Sequence, residues 1–250
     1  MEYGLIGEKL GHSYSKIIHE KLADYTYDLC PLTKEEFPAF MEKRDFKAIN
    51  VTIPYKEAVL PYLDEMDDRA KAIGAVNTIV HRDGKLIGHN TDFGGFLYML
   101  NAHGIQPAGK KCLVLGSGGA CKAVKAVLAY MDASRVLVVG RSAREGVLTY
   151  EEVCTNHCDA SIIVNTTPVG MYPNMDASPI DLSLFPLCEA AVDVIYNPAQ
   201  TLFTRQGKEL GMTAFTGLEM LIAQAKYAVE FFLDTTIVEE KIAEIYNSWE

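Results

Sequence analysis

Lys111-Cys-Leu-Val-Leu-Gly116-Ser-Gly-Gly-Ala-Cys-Lys-Ala123 is the stretch on which the fold turns. The apolar run Lys111 to Leu115 is short and bounded by glycine, as a buried strand is, and helical spacing takes over from Gly119 to Met131. A strand that passes through a glycine loop into a helix is the phosphate-binding turn of a dinucleotide-binding unit. Gly116 permits the tight turn, Gly118 lets backbone approach a pyrophosphate, and amides at the helix start face the anion. Ser117, Gly119 and Ala120 complete the loop, and Cys121 stands where the pattern usually has glycine or alanine. A glycine cluster alone also fits an ordinary turn; the flanking strand and helix give this one its weight.

Outward from the loop, the second strand is expected at Arg135 to Val139. Domains that prefer NAD place an acid near its end, about 20 positions past the glycines, to bond the ribose 2′-hydroxyl. Here the strand runs into Val139-Gly140-Arg141-Ser142-Ala143-Arg144, with two guanidinium groups and a hydroxyl and no acid. A planar guanidinium donates two bonds at once to a phosphate, so the loop points to NADP. Further strands are read at Ser161 to Asn165, Ala190 to Ile195 and Met212 to Phe215, and helices near Tyr150 to Cys154 and at Thr201 to Leu210. Strands alternating with helices predict an α/β fold with a parallel sheet and right-handed crossovers. Gly217 to Leu233 and Thr236 to Trp249 read as closing helices.

Before Gly104 the texture differs. Glu2 to Gly7 and Ala48 to Pro54 read as strands, Tyr14 to Tyr25 as a helix, and Lys56 to Met66 and Asp68 to Ile73 as short helices. Ala75 to Val80 and Lys85 to Gly88 form an expected hairpin. Thr91 or Asp92 caps a helix running through Leu100. Polar residues gather at the ends of these elements: Ser13, Ser15, Asn50, Thr52, Lys56, Asn77 and Asn90-Thr91-Asp92. Singly they are ordinary caps, turn residues or surface charges.

Composition bounds the function. A chain of 250 residues with 49% apolar residues buries a substantial core. Its net charge of −10 argues against nucleic acid and anionic membranes, which demand a basic face. No signal-like segment opens the chain and no run of 18 apolar residues occurs, so a cytoplasmic protein, monomeric or homodimeric, is expected. Six irregularly spaced cysteines fit a reducing compartment. Cys154, His157 and Cys158 have no second ligand pair nearby, so no metal is expected.

Six stretches in order, Gly7 to His19, Asn50 to Glu57, Gly74 to Thr78, Gly88 to Asp92, Asn165 to Met171 and Gly217 to Gln224, resemble the shikimate dehydrogenase family across nearly the whole chain. The resemblance implies an N-terminal substrate domain, residues 1–92, rejoined by 217–250, and a Rossmann-like cofactor domain, residues 93–216. It implies that Ser13 and Ser15 hold the substrate carboxylate, that Asn50, Thr52, Asn77 and Gln224 bind ring hydroxyls, and that Tyr196 closes over the carboxylate. Gly217 and Met220 resemble residues bordering the nicotinamide, and Thr166 belongs with the cofactor residues. The chain departs from the family at Glu8-Lys9 and Lys16, where prolines are usual, and at Gly140, where asparagine often precedes the arginine.

Lys56 and Asp92 match the family's catalytic pair. Reduction of a ring ketone such as 3-dehydroshikimate needs a proton at the oxygen that becomes negative; either the ammonium gives it while the carboxylate orients it, or the ammonium polarises a water while Asp92 shuttles the proton. Two rival readings are a quinate or mixed quinate/shikimate dehydrogenase, which Arg141 and the missing acid disfavour, and a non-catalytic NADP-binding regulator, which has no need of both Lys56 and Asp92. A folate-linked dehydrogenase of similar architecture lacks the Ser13, Ser15 and Asn90-Thr91-Asp92 pattern.

Overall fold

The computed structural model describes residues 1–11 and 13–249. The chain divides into two compact units, Met1–Gly95 with Leu221–Glu250, and Phe96–Met220. The first contains β1 (Tyr3–Gly7), α1 (Ser15–Leu22), β2 (Tyr27–Pro31), α2 (Glu36–Lys43), β3 (Ala48–Val51), β4 (Glu65–Met66), α3 (Asp68–Ile73), β5 (Thr78–Arg82) and β6 (Lys85–His89). Helix α4 (Asp92–Ala102) leads into the second. There follow β7 (Lys111–Leu115), α5 (Gly119–Tyr130), β8 (Arg135–Gly140), β9 (Val147–Thr149), α6 (Tyr150–Asn156), β10 (Ile162–Asn165), β11 (Ala190–Asp193), α7 (Leu202–Glu209) and β12 (Thr213–Phe215). Helix α8 (Leu218–Leu233) returns the chain to the first unit, and α9 (Glu240–Asn247) follows.

In the first unit the strand order is β2-β1-β3-β5-β6-β4. β1 runs parallel to β2 and β3, while β5 is antiparallel to both β3 and β6. Strands β1, β3 and β6 therefore point the same way, and their C-terminal ends share one edge of the sheet with the start of β5. Segments far apart in sequence leave the sheet at that edge. Alternation along each strand feeds two cores. Ile6, Ile49, Ile79 and Leu86 pack with Phe37 and Met41 of α2, whereas Leu5, Ala48 and Val80 pack with Ala228 and Phe232 of α8.

The expected helix over Lys56 to Met66 does not form. Only a single 3-10 turn, Leu60–Tyr62, is present, with Pro61 in it. Beyond it, Asp64 is bonded twice to the backbone of β6: its amide donates to Leu86 O at 2.9 Å, and its side-chain carboxylate accepts from Leu86 N at 2.8 Å. The edge of the hairpin draws Glu65 and Met66 into β4, overriding their helical spacing. β2, α2 and β9 add elements that periodicity does not disclose, because each is short and β2 and α2 both contain proline.

The second sheet is parallel throughout, in the order β12-β11-β10-β7-β8-β9. Strand order reverses between β7 and β10, so the glycine loop after β7 sits at the topological switch point where such sheets bind ligands. The ends of β10 and β11 are tied through Asp193. Its carboxylate accepts from Asn165 Nδ2 at 3.1 Å, Ile195 N at 3.0 Å and Thr201 Oγ1 at 2.8 Å. Thr201 also caps α7.

Burial outweighs these donors and pushes the Asp193 carboxyl up to about 6 from an ordinary 3.8. A raised folded-state value means that the native protein holds a proton the unfolded chain has lost, so this group costs stability as pH rises from about 4 through about 6. We expect the stability of the parent relative to Asp193→Asn to improve by about 1 kcal/mol between pH 7 and pH 5. Urea titrations of both proteins at the two pH values test this, and taking the difference cancels every other titration. A gap that does not change with pH would contradict the raised value.

Candidate functional site

The polar edge of the first sheet brings together five of the expected residues. Lys56 follows β3, and its carbonyl is pinned by Val76 N at 2.8 Å. Asp92 opens α4 directly after β6, where a helix N-terminus favours negative charge. The two side chains, 36 positions apart, meet: Lys56 Nζ donates to Asp92 Oδ2 at 2.5 Å. Side-chain exposure is 16% for Lys56 and 8% for Asp92, so the pair is shielded while the ammonium keeps an open side. The other carboxylate oxygen accepts from Asn77 Nδ2 at 3.0 Å.

Asn77 is the centre of this network. Its Oδ1 accepts from Thr91 N at 2.7 Å and from Thr78 Oγ1 at 3.1 Å. Its amide nitrogen also reaches Thr91 Oγ1 at 3.0 Å and Gln224 Oε1, from α8, at 3.3 Å. Asn50 lies behind, its two amide hydrogens directed at Asn77 O and Thr78 Oγ1 at 3.2 and 3.0 Å. Tyr27 OH donates to Asn50 Oδ1 at 2.7 Å. Tyr27 and Thr78 are members of this network that inspection of the sequence did not single out. Thr78 closes a quoted motif, whereas Tyr27 sits in the unread β2 with nothing local to mark it.

Ser13 and Ser15 form their own pair at the start of α1. Ser13 Oγ donates to Ser15 Oγ at 3.1 Å and accepts from Ser15 N at 3.2 Å. Thr52, half-buried beyond β3, is fixed through its amide to Ile6 O at 2.9 Å.

In the second unit the glycine loop has the shape its sequence requires. Gly116 has φ +99°, and a Cβ there would lie 2.9 Å from Thr166 Oγ1 and 3.0 Å from Thr167 Cγ2. Thr166 Oγ1 is committed to Leu115 O at 2.7 Å, which holds it against the loop. A Cβ on Gly118 would meet nothing within 4 Å, so open space lies in front of the first turn of α5. No side chain caps that helix, which leaves its first amides for an anion.

Arg141 and Ser142 are exposed after β8. Arg144 is held by paired backbone bonds with Val147, and its guanidinium donates to Ser117 Oγ in the glycine loop. Gly140 is explained by packing, since a Cβ there would come within 2.8 Å of Val147 Cγ1 on β9. These residues fit a phosphorylated dinucleotide: a tight glycine turn, an uncapped helix start, Arg144 against the loop and Arg141 exposed after β8. Tyr196 is half-buried after β11. Gly217 donates its amide to Ile195 O at 2.8 Å, and a Cβ on it would run into the Val194 carbonyl. Met220 is buried.

A parallel sheet with a glycine loop at its switch point defines a dinucleotide-binding fold. The profile of the shikimate dehydrogenase substrate binding domain matches residues 5–79. The shikimate dehydrogenase (NADP(+)) of Clostridium beijerinckii is 37% identical, over 99% of this chain and 97% of its own length. The crystal structure of shikimate dehydrogenase 1 from Peptoclostridium difficile superposes with a TM-score of 0.92 at 36% identity, covering 99% of this chain and 97% of that one. The Thermus thermophilus enzyme, solved with NADP(H) and shikimate, gives 0.87 at 32% identity and 99% of both chains. The chain belongs to the shikimate dehydrogenase family.

Asn77 satisfies several buried groups at once, so its loss should be felt beyond the site. We expect Asn77→Ala to lower unfolding free energy by about 2 to 4 kcal/mol, because Thr91 N–H and Asp92 Oδ1 are each orphaned. Chemical denaturation gives the number, and a loss below about 0.5 kcal/mol, the scale of a surface substitution, would show that water replaces the amide without cost.

Proposed function

We propose that the chain catalyses the reversible, NADP-dependent reduction of 3-dehydroshikimate to shikimate, on the route to chorismate and the aromatic amino acids. The observation that carries this is the shielded Lys56–Asp92 pair at 2.5 Å, held in a chain that belongs to this family. The substrate domain, residues 1–92 with 217–250, corresponds to the first unit and the cofactor domain, residues 93–216, to the second, each boundary lying three or four residues from that of the compact units. The partners are small molecules, and the protein acts as a monomer or homodimer in the cytoplasm.

Lys56 presents its ammonium to the ketone oxygen of the ring. As negative charge grows on that oxygen, the ammonium stabilises it and gives it a proton; in the oxidation direction Lys56 takes the proton back. Asp92 accepts one hydrogen of Nζ and so fixes the direction of the others. Its second oxygen, bonded to Asn77, keeps the carboxylate from rotating away. Ser13 and Ser15 offer hydroxyls to the substrate carboxylate, joined by Tyr196. Asn50, Thr52, Asn77 and Gln224 set the places of the ring hydroxyls.

Gly116, Ser117, Gly118, Gly119 and Ala120 would cradle the pyrophosphate, Arg141, Ser142 and Arg144 the 2′-phosphate, and Thr166, Gly217 and Met220 would border the cofactor. The nicotinamide, when bound, supplies the hydride for the ring carbon. The alternative of a quinate enzyme using NAD is disfavoured by Arg141 and Arg144 and by the absence of an acid after β8.

Lys56→Ala should reduce kcat for shikimate oxidation by at least about 100-fold, with folding retained; turnover within a few-fold of the parent would remove Lys56 from the chemistry. Replacing Arg141 and Arg144 together with alanine should raise KM for NADP about ten- to a hundredfold and change KM for NAD little. Initial rates with both nucleotides decide it. A double variant that still prefers NADP as strongly as the parent places the phosphate elsewhere.

A further inference from the structure

Tyr27 lies at the far end of the network that terminates on Asp92. The ring is wholly buried and stacks on His19 with centroids 3.9 Å apart. The bonds from its hydroxyl run in one direction. Tyr27 OH donates to Asn50 Oδ1 at 2.7 Å, Asn50 Nδ2 to Thr78 Oγ1 at 3.0 Å, Thr78 Oγ1 to Asn77 Oδ1 at 3.1 Å, and Asn77 Nδ2 to Asp92 Oδ1 at 3.0 Å. Each group accepts on one side and donates on the other, and two backbone groups support the same polarity: Asn50 Nδ2 also donates to Asn77 O at 3.2 Å, and Thr91 N donates to Asn77 Oδ1 at 2.7 Å.

An amide side chain can present oxygen or nitrogen to either neighbour by turning over. Asn50 has oxygen toward Tyr27 because a phenol that donates stands there. Burial holds that phenol neutral by pushing its pKa well above the usual value. With Asn50 so turned, its nitrogen faces Thr78 Oγ1 and Asn77 O, the Thr78 hydroxyl donates to Asn77 Oδ1 beside Thr91 N, and the Asn77 nitrogen faces the carboxylate.

We propose that Tyr27 is a positioning residue for the reaction: its hydroxyl fixes the Asn50 amide, and through Thr78 and Asn77 orients the Asp92 carboxylate that aims Lys56. This rests on the proposed roles of Lys56 and Asp92. Without the hydroxyl, Asn50 Oδ1 is buried without its donor, and the support that Asn50 gives Thr78, and through it the Asn77 amide on the carboxylate, is loosened. The residues assigned to the cofactor lie outside the series, so the expected signature is a fall in kcat with little change in KM for NADP.

The experiment is a kinetic double-mutant cycle with Tyr27→Phe and Thr78→Val, using Tyr25→Phe as a control. Both cycle variants keep side-chain shape and remove one member of the series. Tyr25, whose hydroxyl meets His19 Nδ1 at 2.8 Å, loses a neighbouring bond that leads nowhere near Asp92. We expect Tyr27→Phe and Thr78→Val each to lower kcat about five- to twentyfold, with KM for NADP within about twofold. The double variant should be no slower than the slower single one, because a series broken once is not broken further. Tyr25→Phe should retain the parent kcat. Multiplying effects, or a Tyr27→Phe kcat equal to that of Tyr25→Phe, would overturn the proposal. If Tyr27→Phe does not fold, Thr78→Val alone decides, since an unchanged kcat there refutes the series. A parent that fails to oxidise shikimate with NADP would instead refute the activity on which the proposal rests.

Discussion

Holding the Asp92 carboxylate out of water, with both oxygens satisfied and a lysine beside it, is the constraint around which the first unit is arranged. Burying a charge is costly unless every lone pair finds a partner, and a half-satisfied site is worse than an apolar one. Lys56 covers one oxygen and Asn77 the other. Asn77 can do so only because Thr78 and Thr91 occupy its carbonyl oxygen, and Asn50 in turn supports Thr78. The strand directions answer the same need, for parallel β1, β3 and β6 with antiparallel β5 between the last two deliver Lys56, Asn77 and Asp92 to one edge without a long loop.

The second unit meets a different demand with backbone in place of side chains. Its loop after β7 closes so tightly that Gly116 tolerates no Cβ beside Thr166 and Thr167. The space it leaves lies where α5 begins uncapped. Arg144 is poised over the loop through Ser117, and its own position is set by the paired backbone bonds to Val147 that bring β9 alongside β8.

Legibility in the sequence followed from whether a signal was local. The β7–loop–α5 unit was readable because strand, glycines and helix are contiguous, and most of the elements after it alternate at regular spacing. The Lys56–Asp92 meeting was readable only as a requirement, since nothing within either segment says that two strands in parallel deliver them to one edge. The turn at Lys56 to Met66 was misread as helix because the competing bonds come from Leu86, more than twenty positions away. Tyr27 was invisible for the same reason. Its partner Asn50 belongs to another strand, and a tyrosine in a proline-ended run of five residues looks like any other. Gly140, by contrast, looked like a departure from the family's pattern and is accounted for once Val147 is seen against it.

Gly217 illustrates how space alone can fix an amino acid. A Cβ on it would lie 2.3 Å from the Val194 carbonyl oxygen, and its amide is spent on Ile195 O, so there is no room for even a methyl group. Every amino acid other than glycine carries a Cβ. In a library selected for growth, position 217 would therefore empty as completely as Lys56, though for reasons of room and not of chemistry. Depletion scores at the two sites would look alike, and only the packing distinguishes a residue that acts from one that merely fits.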